Sequence, residues 1–170
     1  MSDLQPATEA TAAFAEEVFE CARRGDAPML ERLLTRGLPA DLRNHKGDTL
    51  LMLASYHGHE EAVRLLLAHG ADPLIANDNG QLPIAGAAFK GDMVMVRLLL
   101  AQGVPVDAAA ADGRTALMLA AMFNRLEILD HLLAHGADPA HRDAMGTTAL
   151  IAARAMGARD TAARLEALLG

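Results

Sequence analysis

Bulky aromatic side chains are scarce in this sequence. Among its 170 residues there is no tryptophan, one tyrosine and four phenylalanines, whereas 52% of all residues are hydrophobic. A core must therefore be filled by leucine, valine, methionine and many alanines, a composition that favours closely packed helices. The chain has the length of one ordinary domain and enough apolar residues to bury a core.

Features of exported and membrane proteins are also missing. The single cysteine, Cys21, cannot form an internal disulfide, so nothing here requires an oxidising compartment. The first 17 residues, MSDLQPATEATAAFAEE, are acidic where a signal peptide is basic, and no apolar run has the length of a membrane span. We therefore expect a cytoplasmic protein that does not bind membranes. Its alanine-rich and arginine-rich composition is typical of bacteria with GC-rich genomes.

Positive charge is in deficit. Fifteen lysines and arginines face 22 acidic residues, so the formal net charge is −7, and no basic run offsets it. Nucleic-acid binding needs a basic surface that displaces counterions from phosphates. The charge therefore argues against a nucleic-acid partner and favours a protein partner with a basic or mixed surface.

The sequence repeats itself with a period of 33 residues. The phrase LLAHGADP occurs at residues 66–73 and again at 132–139, two periods apart. Chance repetition of eight residues is very unusual in a short chain, so the phrase marks a copied structural unit. Glycines recur at the same step, in three columns of the aligned repeats: Gly47, Gly80, Gly113, Gly146; Gly37, Gly70, Gly103, Gly136; and Gly25, Gly58, Gly91, Gly157. Asn124 stands in the gap of the third column, and asparagine is a residue that tolerates positive φ.

Each period contains two helical segments and a turn. Segments such as TLLMLASYHG and TALMLAAMFN have helical apolar spacing and end at Gly or Asn. A second helix follows, as in EEAVRLLLAHG, and then a turn rich in Asp, Asn and Gly, as in ADPLIANDNGQ. Thr49, Thr115 and Thr148 precede the first helices as N-cap residues, and Pro83 suits a first helical turn.

These residues resemble the ankyrin repeat family. The stretch GDTLLMLASYHGHEEAVRLLLAHGADP is similar to the family pattern G-x-T-P-L-H-x-A-x-x-G-H followed by V-x-x-L-L-x-x-G-A-D. The resemblance implies an all-α solenoid of about five helix-turn-helix repeats joined by short β-hairpin-like turns. We expect a flexible segment over residues 1–10 and one repeat domain over 11–170. The expected repeats span residues 11–43, 44–76, 77–109, 110–142 and 143–170.

Departures from the family pattern mark special positions. The histidine of T-P-L-H is replaced in every repeat, by Met52, Ala85, Met118 and Ile151, so apolar packing must join neighbouring repeats. Leu82 replaces the capping threonine of the third repeat, and Gly86 lies inside its helix at a cost of about 1 kcal/mol relative to alanine. That repeat is expected to be the weakest. Arg164 and Glu166 suggest a polar outer face on the last repeat.

The resemblance implies a partner-binding surface on the concave side of the repeats. At the ends of the first helices this surface carries Arg23, Arg24, Tyr56, His57, Phe89, Lys90, Met122, Phe123, Ala155 and Met156. At the tips of the turns it carries His45, Lys46, Asp48, Asp78, Asn79, Gln81, Asp112, Arg114, Met145 and Thr147. We interpret Tyr56, Phe89, Met122 and Phe123 as apolar anchors for a partner, and Arg23 and Arg24 as positive charge at one end. In the alternative interpretation, the aromatic rings pack against the neighbouring repeat and never contact a partner.

The most plausible function on this basis is a non-enzymatic adaptor or inhibitor that binds another protein and needs no cofactor. An immunity or antitoxin protein is one alternative, and a metal-dependent or redox-protective protein is another. His131 and His135 have metal-ligand spacing but no convincing third ligand, and the pair His57 and His59 is no better. No catalytic motif is present, so the chain is not expected to be an enzyme.

Two further residue sets complete the expectations. Cys21 falls in a column of alanines, which favours a buried and inert thiol over a nucleophile. Met93 and Val94 stand where the preceding repeat has Glu60 and Glu61. They suggest an exposed apolar spot, so we expect a monomer with weak self-association as the alternative.

Overall fold

The computed structural model describes residues 5–170, with side chains from residue 11 onward. This part of the chain forms ten α-helices, and its only β-type pairing outside them is an antiparallel bridge between Arg43 and Thr49. The predicted all-α repeat fold is confirmed. No helix in the described residues is both long and apolar enough to cross a bilayer.

The chain divides into two compact units. The first ends at Asp72 and the second runs from Pro73 to Gly170. The first unit holds α1 (Gln5–Arg24), α2 (Ala27–Thr35), α3 (Leu50–Tyr56) and α4 (Glu60–Ala68). The second unit holds α5 (Pro83–Lys90), α6 (Met93–Ala101), α7 (Ala116–Met122), α8 (Leu126–Ala134), α9 (Ala149–Ala155) and α10 (Arg159–Leu169). Each consecutive pair of helices belongs to one 33-residue repeat.

The N-terminal helix begins before the expected repeat domain. Helix α1 starts at Gln5 and has 20 residues, so it includes residues 5–10 of the segment expected to be flexible. Residues 1–4 of that expected segment lie outside the described residues. The expected bounds of the repeat domain and of its five repeats stay a prediction.

The expected caps form where a hydroxyl is present. The side chains of Thr49, Thr115 and Thr148 each accept a hydrogen bond from the backbone N–H three residues later, which satisfies a donor that the helix leaves unpaired. Leu82 makes no such bond, but Pro83 follows it as the first residue of α5. A proline at that position has no N–H to satisfy.

Packing within each unit follows the repeat. First helices contact first helices and second helices contact second helices, as α5, α7 and α9 do in the second unit. The repeated phrase LLAHGADP lies at this contact, since Leu66 and Leu132 are fully buried. The phrase recurs because each second helix buries the same leucine on one face and ends at the same glycine turn.

The column of the family histidine is apolar and buried in three repeats. Met52, Ala85 and Met118 are all buried, whereas Ile151 in the last repeat is 48% exposed. Apolar contact therefore takes the place of a side-chain hydrogen-bond network at these positions, as the sequence indicates.

Asn124 joins the fourth repeat to the fifth. Its backbone has φ of 54°, as its place in a glycine column predicts. Its side-chain oxygen accepts hydrogen bonds from the backbone N–H groups of Asp160 and Thr161, each at 3.1 Å, and its amide donates to the Asp160 carboxylate at 2.8 Å. Because Ala158 offers no capping side chain, Asn124 caps α10 from the preceding repeat.

We expect Asn124→Gly to lower the free energy of unfolding by about 1 kcal/mol, the usual cost of a lost N-cap. Glycine tolerates the positive φ, so the loss would report the cap and not backbone strain. Chemical denaturation of the purified protein measures the effect. In Asn124→Asp the oxygen acceptor is kept, but the new charge repels Asp160, so an intermediate loss is expected. Equal stability of Asn124→Gly and the unmodified protein would contradict the cap.

Candidate functional site

Tight turns precede the first helices of the repeats, and we call three of them fingers: finger 3 (residues 77–81), finger 4 (110–114) and finger 5 (143–147). In finger 3 the Asn77 side chain accepts backbone N–H bonds from Asn79 and Gln81, at 3.1 and 3.0 Å. Asp143 does the same in finger 5, for Met145 and Thr147. Finger 4 begins with an alanine, which has no such acceptor. All three fingers lie in the second unit.

Fingers 4 and 5 are joined directly. The Nε2 atom of His141 lies 2.8 Å from the carbonyl oxygen of Gly113, and the Ala144 N–H donates to the Asp112 carbonyl at 2.9 Å. Gly113 has φ of 75°, and a Cβ atom there would lie 3.0 Å from the Asp143 backbone. The close approach of the two fingers therefore requires glycine at this position.

The ionised carboxylate of Asp143 holds finger 5 in place. The backbone N–H of Thr147 is the largest influence that lowers the pKa of its carboxyl, and that of Met145 and the charge of Arg114 act in the same direction. Hydrogen bonds donated to a carboxylate stabilise its charged form. The turn is thus set by a charged acceptor that keeps two backbone donors satisfied.

Fingers 3 and 4 stand apart and enclose a groove. His141 of the fourth repeat aligns with Ala108 of the third repeat. The methyl side chain of Ala108 is too short to reach the neighbouring finger. Over the described part of the chain, no hydrogen bond joins Ala111 to Asn79 in the way that Ala144 joins Asp112. The space between them has a volume of about 60 Å³. We call it the finger groove, and its lining residues are Asn79, Gly80, Gln81, Ala85, Phe89, Asp112, Arg114 and Leu119.

A small side chain at the floor also keeps the groove open. Ala85 lies in the column that is methionine in the second and fourth repeats, where Met52 and Met118 are buried. Alanine leaves unfilled the space that a methionine side chain would occupy. Two departures from the repeat pattern, Ala85 and Ala108, therefore produce the groove.

The groove combines an apolar floor with a polar rim. Ala85, Phe89 and Leu119 supply the apolar surface. On the rim, the Arg114 backbone N–H donates to the Asp112 carboxylate at 3.0 Å, whereas the ion pair between their side chains is loose, at 3.7 Å. Exposed ion pairs contribute little to stability. Both charged groups are therefore able to change partner at small cost, and the rim suits recognition of a peptide's polar groups.

The structure brings together five of the residues predicted to bind a partner, namely Asn79, Gln81, Phe89, Asp112 and Arg114. Other predicted residues of the second unit do not line the groove: Asp78, Lys90, Met122, Phe123, Met145, Thr147, Ala155 and Met156. The remaining ones belong to the first unit: Arg23, Arg24, His45, Lys46, Asp48, Tyr56 and His57. The alignment of the repeats did not predict Ala85 or Leu119 as site residues. The sequence did indicate Ala85, because the second and fourth repeats have methionine at the same position.

Comparison with known proteins identifies the repeat. The family described as "Ankyrin repeats (3 copies)" matches residues 18–108 and 84–166, which together cover most of the chain. The chain belongs to the ankyrin repeat family. Ankyrin repeats are generally protein–protein interaction modules.

The curated relatives share only part of the chain. A Pseudomonas aeruginosa protein named as an ankyrin repeat protein is 60% identical over 55 residues, which is 32% of each chain. Ankyrin repeat domain-containing protein 29 of zebrafish (Danio rerio) and of human are each 44% identical over 54 residues, which cover 31% of this chain and 18% of theirs. The matches thus span about a third or less of these relatives.

Two aromatic rings of this ankyrin repeat chain pack on each other. Phe89 and Phe123 meet edge to face, with ring centroids 4.6 Å apart and planes at 88°, and both are half-buried. This geometry agrees with the alternative interpretation, in which the rings join neighbouring repeats. Phe89 still lines the finger groove, so it has both a structural contact and an accessible surface. Tyr56 and Met156 are more open, with exposures of 40% and 54%.

The contact between the two phenylalanine rings contributes to stability. Phe89→Ala and Phe123→Ala should each destabilise the chain, and a double-mutant cycle should show a coupling of about 0.5–1.5 kcal/mol, typical of edge-to-face pairs. Denaturant unfolding of the four proteins measures the cycle. Met156→Ala, at an exposed position, should change stability little. Strict additivity of the two substitutions would show that the rings do not stabilise each other.

Arg23 and Arg24, expected to supply positive charge to a partner surface, form ion pairs within α1. Arg23 pairs with Glu16 at 3.0 Å and with Glu20, and Arg24 pairs with Glu17 at 2.7 Å. The two guanidinium groups thus face three carboxylates on the same helix. They do not supply unopposed positive charge for a partner.

His131 and His135 are neighbours but do not form a metal site. Their ring centroids are 4.2 Å apart, and Nδ1 of His135 lies 2.8 Å from the His131 carbonyl oxygen at the end of α8. Where the structure describes side chains, no group of three or more His, Cys, Asp or Glu residues has an arrangement that would hold a metal ion. Partial burial lowers the pKa of His131, and the charges of His135 and Arg97 lower it further.

The lowered pKa of His131 predicts a loss of stability in acid. The folded state disfavours the charged imidazole, so the unfolded chain binds the proton more readily. Stability is complete above the pKa of an unfolded histidine, about 6.5, and falls as the pH drops from there through the lower pKa of the folded state. We expect His131→Gln to lose less unfolding free energy than the unmodified protein between about pH 7.5 and pH 5. The exposed His45→Gln is the control, and an identical pH profile for His131→Gln would contradict this account.

Cys21 is buried, as its place among alanines predicts. Burial is the main cause that raises the pKa of its thiol, and the nearby Asp26 and Glu17 charges add to it. The thiolate is the reactive form of cysteine. Burial and the raised pKa therefore both oppose a role as nucleophile.

Proposed function

We propose that this protein is a non-enzymatic adaptor or inhibitor and that the finger groove binds a segment of its partner protein. The observation that carries the proposal is the coincidence of two departures from the repeat, Ala85 and Ala108, at one place. Each removes a side chain that fills or bridges the equivalent space elsewhere in the protein, since Met118 is buried and His141 contacts Gly113. The result is an apolar recess between two polar turns.

The lining of the groove supports a side-chain anchor. An apolar side chain of the partner would cover the exposed parts of Phe89 and Leu119, and apolar burial in such recesses dominates binding energy at hot spots. Asp112 and Arg114 stand beside the entrance with one charge of each sign. They suit a partner segment that carries a charged group, of either sign, next to its apolar side chain.

Ala85→Met tests the proposal by filling the groove. Methionine is native to this column in the second and fourth repeats and has good helix propensity. The substitution should therefore keep the fold while it occupies the apolar floor. Affinity for the partner should fall by about tenfold or more, whereas the melting temperature should stay the same or rise. Proteins captured from a cell lysate by the unmodified chain are identified by mass spectrometry, and the affinity of each purified candidate is measured by calorimetry.

A matched pair of surface variants gives the control. Arg114→Ser alters the rim of the groove, and Arg64→Ser removes an exposed arginine from α4 in the other unit. The true partner should bind Arg114→Ser weakly and Arg64→Ser as well as the unmodified protein. A partner that binds Ala85→Met and Arg114→Ser with full affinity occupies another surface, and the groove proposal then fails.

A further inference from the structure

The starts of the second helices form an unusual surface in the second unit. The first two residues of these helices are Glu60 and Glu61 in the second repeat and Arg159 and Asp160 in the fifth. The third repeat has Met93 and Val94 instead, and the fourth has Leu126 and Glu127. Apolar residues therefore replace charged ones in two adjacent repeats, 3 and 4.

These apolar residues are open to solvent beside a groove. Val94 is 54% exposed and Leu126 is 36% exposed. Between the starts of α6 and α8 lies a recess of about 390 Å³, which we call the helix-start groove. Its lining residues are Gly91, Met93, Asn124, Arg125, Leu126, Glu127 and Ile128. Singly exposed apolar residues are ordinary, but several at the starts of adjacent helices beside a recess mark an interaction site.

Two charges of opposite sign flank the apolar strip. Arg125 and Glu127 lie on either side of Leu126, and neither has an ion-pair partner within the described residues. Arg125 is held in place because its Nε donates to the Phe89 carbonyl at 3.3 Å. A Cβ atom on Gly91 would lie 3.0 Å from that Nε, so glycine gives the guanidinium room. Residues two apart do not face each other at a helix start, so Arg125 and Glu127 do not neutralise each other.

We infer that a second copy of this chain covers the helix-start groove in a two-fold symmetric dimer. An isologous interface requires one patch to be complementary to itself. With a two-fold axis beside Leu126, Arg125 of each copy lies opposite Glu127 of the other, and the Met93, Val94 and Leu126 side chains meet at the centre. Each copy thus offers an apolar surface to the other, and the charged side chains of each copy meet partners of opposite sign. The inference is independent of the proposed function, because no side chain of the finger groove takes part.

The dimer is weak and depends on concentration. Three apolar side chains and two ion pairs form a patch at the small end of specific interfaces. Each copy also carries a net charge of −7, which opposes association over distances shorter than the screening length. Sedimentation equilibrium of the unmodified protein from about 10 to about 500 µM should therefore show a reversible monomer–dimer equilibrium. A protein that stays monomeric over this range overturns the inference.

The double variant M93E/V94E tests the apolar strip. It reproduces Glu60 and Glu61 of the second repeat, and acidic residues in a first helical turn favour the helix. The fold should therefore survive, which a thermal melt confirms, while the dissociation constant rises at least about tenfold. Met145→Glu, at a highly exposed finger tip, is the control and should leave the dissociation constant unchanged. An unchanged dimer in M93E/V94E would place the interface elsewhere.

Charge reversal tests the symmetric pairing even if the double variant does not fold. In Glu127→Arg the two contacts become arginine against arginine, and in Arg125→Glu they become glutamate against glutamate. Each variant alone should therefore be monomeric. An equimolar mixture restores both opposite-charge contacts, so it should form a heterodimer. Failure of the mixture to associate, or dimers of either variant alone, would refute the pairing of Arg125 with Glu127.

Discussion

Apolar contact between equivalent helices of successive repeats is the interaction on which each unit of this structure depends. A single pair of short helices cannot bury enough apolar surface to be stable, so each pair relies on the next. The columns that meet are almost entirely aliphatic, and the fully buried Leu66, Met118 and Leu132 occupy them. Since aromatic residues are few, shape complementarity between leucine, methionine and alanine must provide the close packing.

Hydrogen bonds between repeats then refine this packing position by position. The Asp41 carboxylate accepts the Asp72 N–H at 2.8 Å, and Asp107 accepts the Asp138 N–H in the same geometry. The acceptor's column holds Leu74 in the second repeat, and the matching donor position in the third repeat is Pro105, which has no N–H. Donor and acceptor are thus absent together, and no N–H is left without its carboxylate. At these positions the donor and its acceptor are therefore either both present or both absent.

Local departures from the regular repeat give this protein surfaces that a regular repeat lacks. Ala85 and Ala108 open the finger groove, and Met93 and Val94 turn a charged helix start into an apolar one. None of these changes disturbs the helices, because alanine and methionine are good helix formers and the affected spaces lie between repeats. An ankyrin scaffold can therefore vary its binding surfaces without loss of its packing. This separation of scaffold from surface explains why the fold by itself does not identify a partner.

Periodic features of the sequence were sufficient to predict the helices, the caps and the family. The 33-residue step of the glycines and the threonines before the first helices lie where the structure has turns and N-caps, because these depend on local backbone chemistry. Helix α1 also extends through residues 5–10, which precede the expected first repeat.

The sequence by itself determined the repeat, its helical pairs and the residues that could line a binding surface. Only the tertiary structure decided that Gln81, Phe89, Asp112 and Arg114 share a groove and that Phe89 packs on Phe123. It also decided that Arg23 and Arg24 are neutralised by glutamates of their own helix. The physical reason is that a column alignment specifies which positions are equivalent, whereas contacts depend on the spacing between repeats and on side-chain rotamers. Those are settled by the volumes of all neighbouring side chains together.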